Sequence, residues 1–567
     1  MNRYHLALAL FAPASALGGV AGTSNGTSCD YATIQDAIDA GGGTIWVLAG
    51  DYSEQLSIDQ SVMLIGNANA NCNGPGSGSV RTRLIGSVGP QIMVSSADNT
   101  SIKSFDVIGG HDNNHGGNVL VIGSDDVVLE DVHLSEGSAS LVGGGNLYAK
   151  GGSVALLQST VSYGSAPQGG GIFTADADLI LKESTIIRNN ASEGAGVYMV
   201  GDEEAIELIV NDGSTITSNQ ASGNGGGVYA VGHVSIQADA SRFDIESNTA
   251  AADGGGIYYD PDEVNASALE IANVDVVSNT AGDDGGGIYV TTCSTCTPEA
   301  TLVDVVLDDN GATRGAGLAV DANVNSTLTV HQTRLVGNHA SNEGGGAWVS
   351  SGHVDFLSTG GWIGQNEVET MFIENTAVVR GGGLFNYGDV DLNRVIFKDN
   401  DNTNANGSGP HEIGNAGNLT SENLAILGNG GMSVRTFGGG DSDFLHMTLD
   451  GGAGNGTILR YDGASTGSVV ASIVLGGKVR EWVTGDLYAD CTLFTVTPTG
   501  TYADPNNNSC HGPSCDPLFT WSWQNSYTPD GYGNPSSYAV DQCAESNTSV
   551  DIEGDPRDTP DMGAFEW

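Results

Sequence analysis

Short apolar segments recur along the whole chain, and polar punctuation separates them. The segments are three to seven residues long, are rich in Val, Ile, Leu and Thr, and are bounded by Gly, Asn or Asp, as in Thr44–Leu48, Val119–Ile122 and Val127–Leu134. Segments of this length and composition predict β-strands. No helical period persists after the first forty residues, so the pattern predicts an all-β chain.

An Asn recurs at an almost constant interval through the middle of the chain, each time three positions after an apolar residue. The first six intervals are 30, 29, 31, 31, 28 and 37 residues. The positions are Asn189, Asn219, Asn248, Asn279, Asn310, Asn338 and Asn375. A period of about thirty residues is typical of one coil of a solenoid, and stacked coils place equivalent side chains about 4.8 Å apart. We therefore predict a structural Asn ladder whose amides hydrogen-bond from coil to coil.

A Gly cluster followed by an apolar strand repeats at the same period. Gly225–Gly227 precede Val228, and Gly285–Gly287 precede Ile288. Gly at a fixed phase indicates a bend where a Cβ is excluded or φ is positive. Together with the short strands, this repeat predicts a single-stranded right-handed parallel β-helix solenoid over residues 44–480.

The two ends of the solenoid are predicted to be covered, because an open coil is an unpaired edge that invites aggregation. Tyr31, Ile34, Ala37 and Ile38 form one face of a short helix. That helix predicts an N-terminal cap within residues 17–43. Residues 481–567 are predicted to form a C-terminal cap region that is rich in disulfides.

The first sixteen residues have the features of a secretory signal. Arg3 supplies positive charge, Leu6–Phe11 is a short apolar stretch, and Ala14–Ala16 is an A-x-A cleavage site. We therefore expect residues 1–16 to be a signal peptide. The protein would then be exported and act in the periplasm, in the medium or on the outer cell surface.

The cysteine count is even, which fits an oxidising compartment. Cys293 and Cys296 form a lone C-x-x-C that could be redox-active or bind a metal, but with no second pair a loop disulfide is favoured. The eight disulfide candidates are Cys29, Cys72, Cys293, Cys296, Cys491, Cys510, Cys515 and Cys543.

The charge balance restricts the partners. The chain has 68 acidic residues against 18 Lys and Arg, for a net charge of −50. Such a chain repels nucleic acids and anionic membranes, so we expect no nucleic-acid partner. No apolar stretch is long enough to span a bilayer. Solubility is the simplest reason for the acidity.

Three parts of the chain resemble known β-helix families. Tyr31–Ile38 and Val62–Gly66 resemble the opening of pectin-lyase-like proteins. The middle resembles the repeats of polymorphic outer-membrane proteins, whose signatures are G-G-A-I and F-x-x-N; here Phe372 and Phe397 keep the second. The tail Asp561–Glu566 resembles the D-x-G-A-x-E ending of exported bacterial right-handed β-helix proteins. The resemblance implies the fold and export, but not the chemistry, because β-helices host lyases, hydrolases and adhesins.

One candidate ligand-binding feature is an aromatic ladder in the strand after each Gly cluster. Because the residue before each ring should point inward, alternation predicts that the rings face outward. Exposed rings could stack on sugars or meet a protein, or they could stack on one another and stiffen the sheet. The ladder residues are Phe173, Tyr198, Tyr229, Tyr258, Tyr289, Trp348 and Phe385.

A candidate metal site lies in the acids that precede the Gly clusters. Asp253 and Asp284, with Asp283 beside the latter, would stack about one coil apart, and Ca²⁺ with oxygen ligands would relieve their repulsion. A solvated turn edge, partly neutralised by Arg314 and Arg380, explains the same pattern. Ca²⁺ is the one cofactor that the sequence suggests.

Two functions fit these observations. The first is a non-catalytic exported or cell-surface β-helix, adhesin-like or structural, that binds carbohydrate or protein through its side faces as a monomer. The alternative is a polysaccharide-active enzyme, a lyase or glycoside hydrolase. An enzyme needs clustered acids and a base, whereas the basic residues are scarce and spread over many coils, and no catalytic motif identifies a site. The sequence therefore favours the first.

Overall fold

The structure is a computed structural model, and the chain folds into two compact units, Met1–Ala191 and Ser192–Trp567. The residues that the structure describes are 19–21, 29–41, 43–70, 72, 74–77, 80–86, 88–211, 213–238, 241–261, 267–291, 299–321, 326–358, 369–403, 411–427, 432–450, 457–470, 472–475, 478–483, 486–490, 492–494, 502–503, 510–511, 519–521 and 527–529.

The first unit contains one helix, Ile34–Asp39, and short strands. The strands are Gly19–Ala21, Gly43–Leu48, Gly50–Tyr52, Leu56–Ile58, Val62–Ala68, Thr82–Ile85, Ile92–Ser95, Ser101–Ile108, His111–Asp112, Val119–Ser135, Ser138–Ala139, Leu147–Leu157, Thr160–Ser162, Ser165–Gln168, Ile172–Lys182 and Thr185–Ile187. The strand Asn190–Glu193 contains the boundary.

The described part of the second unit is built from strands. They are Val197–Asn211, Thr215–Thr217, Gln220–Ala221, Val228–Ala238, Phe243–Glu246, Thr249–Ala250, Ile257–Asp260, Ala268–Ala272, Val274–Val277, Thr280–Ala281, Ile288–Thr291, Glu299–Val303, Val306–Asp308, Gly311–Arg314, Leu318–Asp321, Thr327–His331, Arg334–Val336, His339–Glu343, Ala347–Ser351, His353–Leu357, Met371–Ile373, Thr376–Ala377, Leu384–Asn386, Asp389–Asn393, Ile396–Lys398, Asp401–Asn402, His411–Asn415, Asn418–Glu422, Ala425–Leu427, Met432–Thr436, Asp441–Leu445, Thr448–Asp450, Thr457–Gly463, Thr466–Val470, Ile473–Leu475, Lys478–Val483, Asp486–Asp490, Leu493–Phe494, Tyr502–Ala503, Cys510–His511, Phe519–Trp521 and Tyr527–Pro529.

Most strands pair in parallel with the equivalent strand one coil further along the chain, whereas Phe519–Trp521 and Tyr527–Pro529 pair with each other in antiparallel orientation. In the first unit, Leu129 lies in register with Ile102 on one side and Leu156 on the other. In the second unit, Ile288 lies in register with Ile257 and Leu318. All six of these side chains are fully buried. Apolar positions that alternate along each strand therefore stack into continuous inner columns, and the prediction of a parallel β-helix is confirmed.

The Asn ladder is also confirmed. Asn279 donates from Nδ2 to Asn310 Oδ1 at 3.2 Å and to the carbonyl of Ile245 at 2.8 Å, and its Oδ1 accepts from the backbone N–H of Asn248 at 2.9 Å. Within the second unit the same bonds recur at the other predicted positions, and they continue to Asn400. Each amide therefore satisfies backbone groups of the preceding coil that would otherwise be buried and unpaired.

The ladder in the first unit includes two residues that the sequence pattern missed. Asn118 donates to Asn146 at 2.7 Å, and Asn146 donates to Asn189 at 3.3 Å. Neither Asn118 nor Asn146 follows an apolar residue by three positions, because both lie directly before a strand, in the column that Gly171 continues. The hydrogen-bond role of the amide is unchanged.

The predicted N-terminal helix is present, and its apolar face is buried at Ile34, Ala37 and Ile38. Thr33 caps it by accepting from the Asp36 N–H at 3.0 Å, and the Glu54 carboxylate accepts from the N–H groups of its first turn. Anionic groups at this position oppose the positive end of the helix dipole.

One predicted disulfide falls within the described residues. Cys29 and Cys72 are bonded, with their Cα atoms 5.9 Å apart. Cys293, Cys296, Cys491, Cys515 and Cys543 and the side chain of Cys510 lie outside the described part of the chain. The disulfide-rich C-terminal cap therefore stays a prediction.

The parallel ladder extends beyond residue 480, where the sequence pattern placed its end. Asp486–Asp490 pairs with Thr466–Val470, and Cys510–His511 pairs with Leu493–Phe494. The Asn and Gly punctuation fades in this region, although the strands keep their register. Among the described residues, no helix combines the length and apolar character that crossing a membrane requires.

Candidate functional site

The aromatic ladder exists as a stack, but its rings are buried rather than exposed. Ring centroids are 4.8 Å apart for Tyr198 and Tyr229, 4.6 Å for Tyr229 and Tyr258, and 5.2 Å for Tyr258 and Tyr289. Of the seven predicted ladder residues, including Phe173, Trp348 and Phe385, none has an exposed fraction above 9%. The expectation of an exposed aromatic surface is wrong, and the alternative of mutual stacking is observed from Tyr198 to Tyr289.

The Gly turn explains why the rings are covered. Gly254 has φ +66°, and a Cβ at this position would lie 2.7 Å from the Tyr258 Cβ. At Gly256 a Cβ would lie 2.6 Å from the Gly287 carbonyl oxygen of the next coil. The glycine backbone therefore packs directly against the ring ladder. Strand alternation alone does not take account of this second layer.

The phenol groups of the ladder point toward carboxylates at the ends of neighbouring strands. Tyr229 donates to Asp260 Oδ2 at 3.1 Å, and Tyr289 donates to Asp321 Oδ2 at 3.5 Å. Burial, reinforced by these acids, raises the pKa of both phenols. They therefore stay protonated and act as structural donors.

The acids before the Gly clusters bond to groups of the next coil. The Asp253 carboxylate accepts from the backbone N–H of Asp284 at 2.9 Å. Asp284 is buried, and its two oxygens receive Nε and Nη2 of Arg314 at 2.8 and 2.5 Å. Asp283 is exposed. A Ca²⁺ ion at Asp284 would have to displace Arg314, and calcium at these three residues remains a prediction.

Several arginines hold coils together. In the second unit, Arg242 bonds Asp275 and also reaches the carboxylate of Asp304 at 2.7 Å and its carbonyl at 2.8 Å. In the first unit, Arg81 binds Asp106 and Asp131 through the same atoms. Because each guanidinium is engaged by two carboxylates, these clusters are structural clamps rather than a site with a free base.

A regular polar surface lies on the outward side of one column of strands in the second unit. We call it the polar face, and it comprises the outward side chains of the strands Thr327–His331, His353–Leu357, Asp389–Asn393, Asn418–Glu422, Asp441–Leu445 and Thr466–Val470. These strands are in parallel register, and the residues between the outward ones are buried, except for Gly467.

On the polar face from Asp389–Asn393 to Thr466–Val470, coils with Asp at the first and third positions alternate with coils that carry hydroxyl or amide groups there. Asn418 Nδ2 donates to Asp389 Oδ1 at 2.6 Å, and Thr420 donates to Asp391. Thr466 donates to Asp441 at 2.9 Å, and Ser468 donates to Asp443 at 2.6 Å. These bonds use one oxygen of each carboxylate. The arrangement separates the acid pairs by one coil and so reduces their repulsion.

One group on this face has the geometry of a metal-ligand set. His353 Nε2 lies 2.9 Å from Asp355 Oδ1 and 3.6 Å from Asp391 Oδ2. The ligand atoms of the three residues all lie within 4.8 Å of one another, and among the described residues this is the only such group of three. The strand register brings them together, because Asp355 lies opposite Asp391 in the next coil.

Sequence reasoning missed this group, although a signal was present. His353–Leu357, Asp389–Asn393 and Asp441–Leu445 share an unusual pattern, with His or Asp at the first position, Asp at the third and apolar residues at the fourth. Charged residues at both outward positions of a strand were the available signal.

The fold and this surface define the class of protein: the chain is a right-handed parallel β-helix protein. A family model described as right handed beta helix region matches residues 117–303. No curated protein matches the sequence. The match covers the Asn ladder as far as Asn279 and the aromatic ladder as far as Tyr289, and it ends before the polar face.

Proposed function

We propose that the protein is a non-catalytic exported β-helix, adhesin-like or structural, whose polar face binds carbohydrate or a protein of a cell surface. The observation that carries this proposal is the in-register face of carboxylate, hydroxyl and amide groups. Each carboxylate of this face keeps a second oxygen, and sugar hydroxyls can donate to such oxygens.

Export to an oxidising compartment is supported by the Cys29–Cys72 disulfide, since disulfides persist outside the reducing cytosol. The signal peptide over residues 1–16, the repeats like those of polymorphic outer-membrane proteins and the tail Asp561–Glu566 belong to the same proposal. A solenoid suits it, because its coils repeat the same outward positions along one face.

The buried aromatic ladder changes how carbohydrate would be held. Exposed rings are the usual platform for sugar stacking, whereas here the rings are internal. Recognition would instead use hydrogen bonds from sugar hydroxyls to Asp389 and Asp443, which are both exposed. Each hydrogen bond of this kind contributes little affinity. Repetition of the same groups along the face would raise the total affinity.

The alternative of a polysaccharide-active enzyme has its best candidates in the same place. Asp355 and Asp391 could serve as the acid and base of a glycoside hydrolase, with His353 as a third titratable group. Their position on a partly exposed outward face favours binding over hydrolysis, because a solvated face does not exclude water from a reacting bond.

The test is a glycan array incubated long enough to detect cleavage, run with the full chain and with the double variant Asp389→Ala, Asp443→Ala. We expect the glycan signal to fall at least tenfold in this variant, with every glycan intact. The matched control is Glu374→Ala, Asp399→Ala, which removes the same charge from two exposed positions beside the Asn ladder.

Equal binding by both variants would contradict a role of the polar face, and so would the lack of any glycan or surface-protein ligand. Shortened glycans would establish the enzyme alternative instead. In that case Asp391→Asn should abolish the cleavage and leave the fold unchanged.

A further inference from the structure

We propose that His353, Asp355 and Asp391 bind a divalent transition-metal ion of the zinc class on the polar face. The donor set is one imidazole nitrogen and two carboxylate oxygens, contributed by two adjacent coils. Three protein ligands of this kind leave coordination positions open to water or to an oxygen of a bound molecule.

The distances fit such an ion. A tetrahedral site with metal–ligand bonds of about 2.0–2.1 Å places its ligand atoms about 3.3 Å from one another. The imidazole nitrogen lies 2.9 and 3.6 Å from the two carboxylate oxygens, which bracket this value. Small rotations of the side chains would therefore complete the set without any movement of the strands.

Neighbouring groups orient the three side chains and leave them accessible to an ion. The Thr420 hydroxyl donates to Oδ1 of Asp391, which leaves Oδ2, the oxygen nearer His353, for the ion. Hydrogen bonds of this type orient a ligating carboxylate. The three side chains are 30–46% exposed, so that an ion can enter from solvent, and the net charge of −50 attracts cations toward the surface.

The identity of the donors selects the metal. Imidazole nitrogen is a good ligand for zinc, copper and nickel, whereas Ca²⁺ takes six to eight oxygen ligands. The site is thus separate from the calcium prediction at Asp253, Asp283 and Asp284. It also stands apart from the proposed function, since metal binding is measured without any glycan.

The test is calorimetric titration of the full chain, freed of metal and without a polyhistidine tag, with ZnCl₂ and separately with CaCl₂ at about pH 7.5. We expect one zinc ion per chain with an imidazole ligand by X-ray absorption, and no calcium at this site. His353→Ala should abolish the zinc isotherm, and Thr420→Val should weaken it by about 10–100-fold.

The matched control is His331→Ala. His331 points outward on the same face one coil earlier, but its column neighbours are Val303 and Leu357 rather than acids. Zinc should also raise the unfolding temperature of the wild type and of His331→Ala, but not that of His353→Ala.

Two results would overturn the proposal. One is an absence of zinc binding by the wild type, which would make the group a hydrogen-bonded His–Asp pair only. The other is an unchanged zinc isotherm in His353→Ala when circular dichroism shows that the variant is folded.

Discussion

Glu412 accepts a hydrogen bond from Asn400 Nδ2 at 3.1 Å, in the position where an Asn accepts it in the preceding coils. Glu412 is fully buried, and its Oε1 atom has no hydrogen-bond partner among the described residues. A carboxyl group therefore occupies the position that follows Asn400 in the Asn ladder. Burial raises the pKa of Glu412 well above its ordinary value, because a buried charge is costly.

The first prediction is that stability depends on pH through Glu412. The folded chain keeps a proton that the unfolded chain releases, so the contribution of this group is complete below the ordinary pKa of 4.5 and is lost as the pH rises through the raised value. Glu412→Gln should stabilise the protein by about 1–3 kcal/mol near pH 8 and have little effect near pH 4. Urea unfolding at both pH values measures this.

The control for this prediction is Glu374→Gln, which removes a charge from an exposed residue near the same turn column. It should change the free energy of unfolding by less than about 0.5 kcal/mol at either pH. Equal effects of the two variants at pH 8 would show that Glu412 is not the source of the pH dependence.

The second prediction concerns the interior of the Asn ladder. Asn279→Ala removes the acceptor of the Asn248 N–H and the donor to the Ile245 carbonyl. Both of these groups are buried in the preceding coil. Leaving these groups unpaired should cost about 3 kcal/mol or more of unfolding free energy. Asn393→Ala, at an exposed outward position, should cost less than about 0.5 kcal/mol. Chemical denaturation of both variants makes the comparison, and a similar loss in each would exclude a special role for the ladder.

The sequence predicted the coil correctly, because the coil rests on local features that repeat. Asn279 and the Gly residues near it indicate where the chain turns, and apolar residues such as Ile288 indicate which positions are buried. Repetition at one period made each weak signal strong. The stacking of equivalent positions in successive coils could therefore be predicted from the sequence.

The candidate site was not readable in the same way. Whether Tyr258 is exposed depends on a Gly turn that packs over it, which is a tertiary contact. The approach of Asp391 to His353 depends on the register between two coils 36 residues apart. An interval that varies between coils hides such a pairing until the strands are aligned.

The third prediction follows from the buried ring stack. Tyr258→Ala should cost about 3–5 kcal/mol, as large aromatic truncations in cores do, and Tyr229→Phe should cost about 1 kcal/mol through the lost bond to Asp260. Tyr163→Ala, at an exposed ring, is the control. Thermal unfolding of the three variants measures these differences in stability. A neutral Tyr258→Ala would mean that the ring is a surface group after all.

The last prediction concerns Arg314, which pairs with buried Asp284 and lies 4.1 Å from the Trp348 ring centroid. Arg314→Met removes the partner of a buried carboxylate. Because the arginine side chain is 38% exposed, solvent reduces the penalty, and we expect a loss of about 1–3 kcal/mol. Asp284→Asn in the same chain should restore part of the lost stability, since no unpaired charge then remains.

Calcium should stabilise Arg314→Met more than the wild type, because loss of the guanidinium leaves the Asp284 oxygens to a cation. If calcium instead stabilises the wild type by as much, the ion binds without displacing Arg314, and the acids before the Gly clusters are a calcium site as they stand.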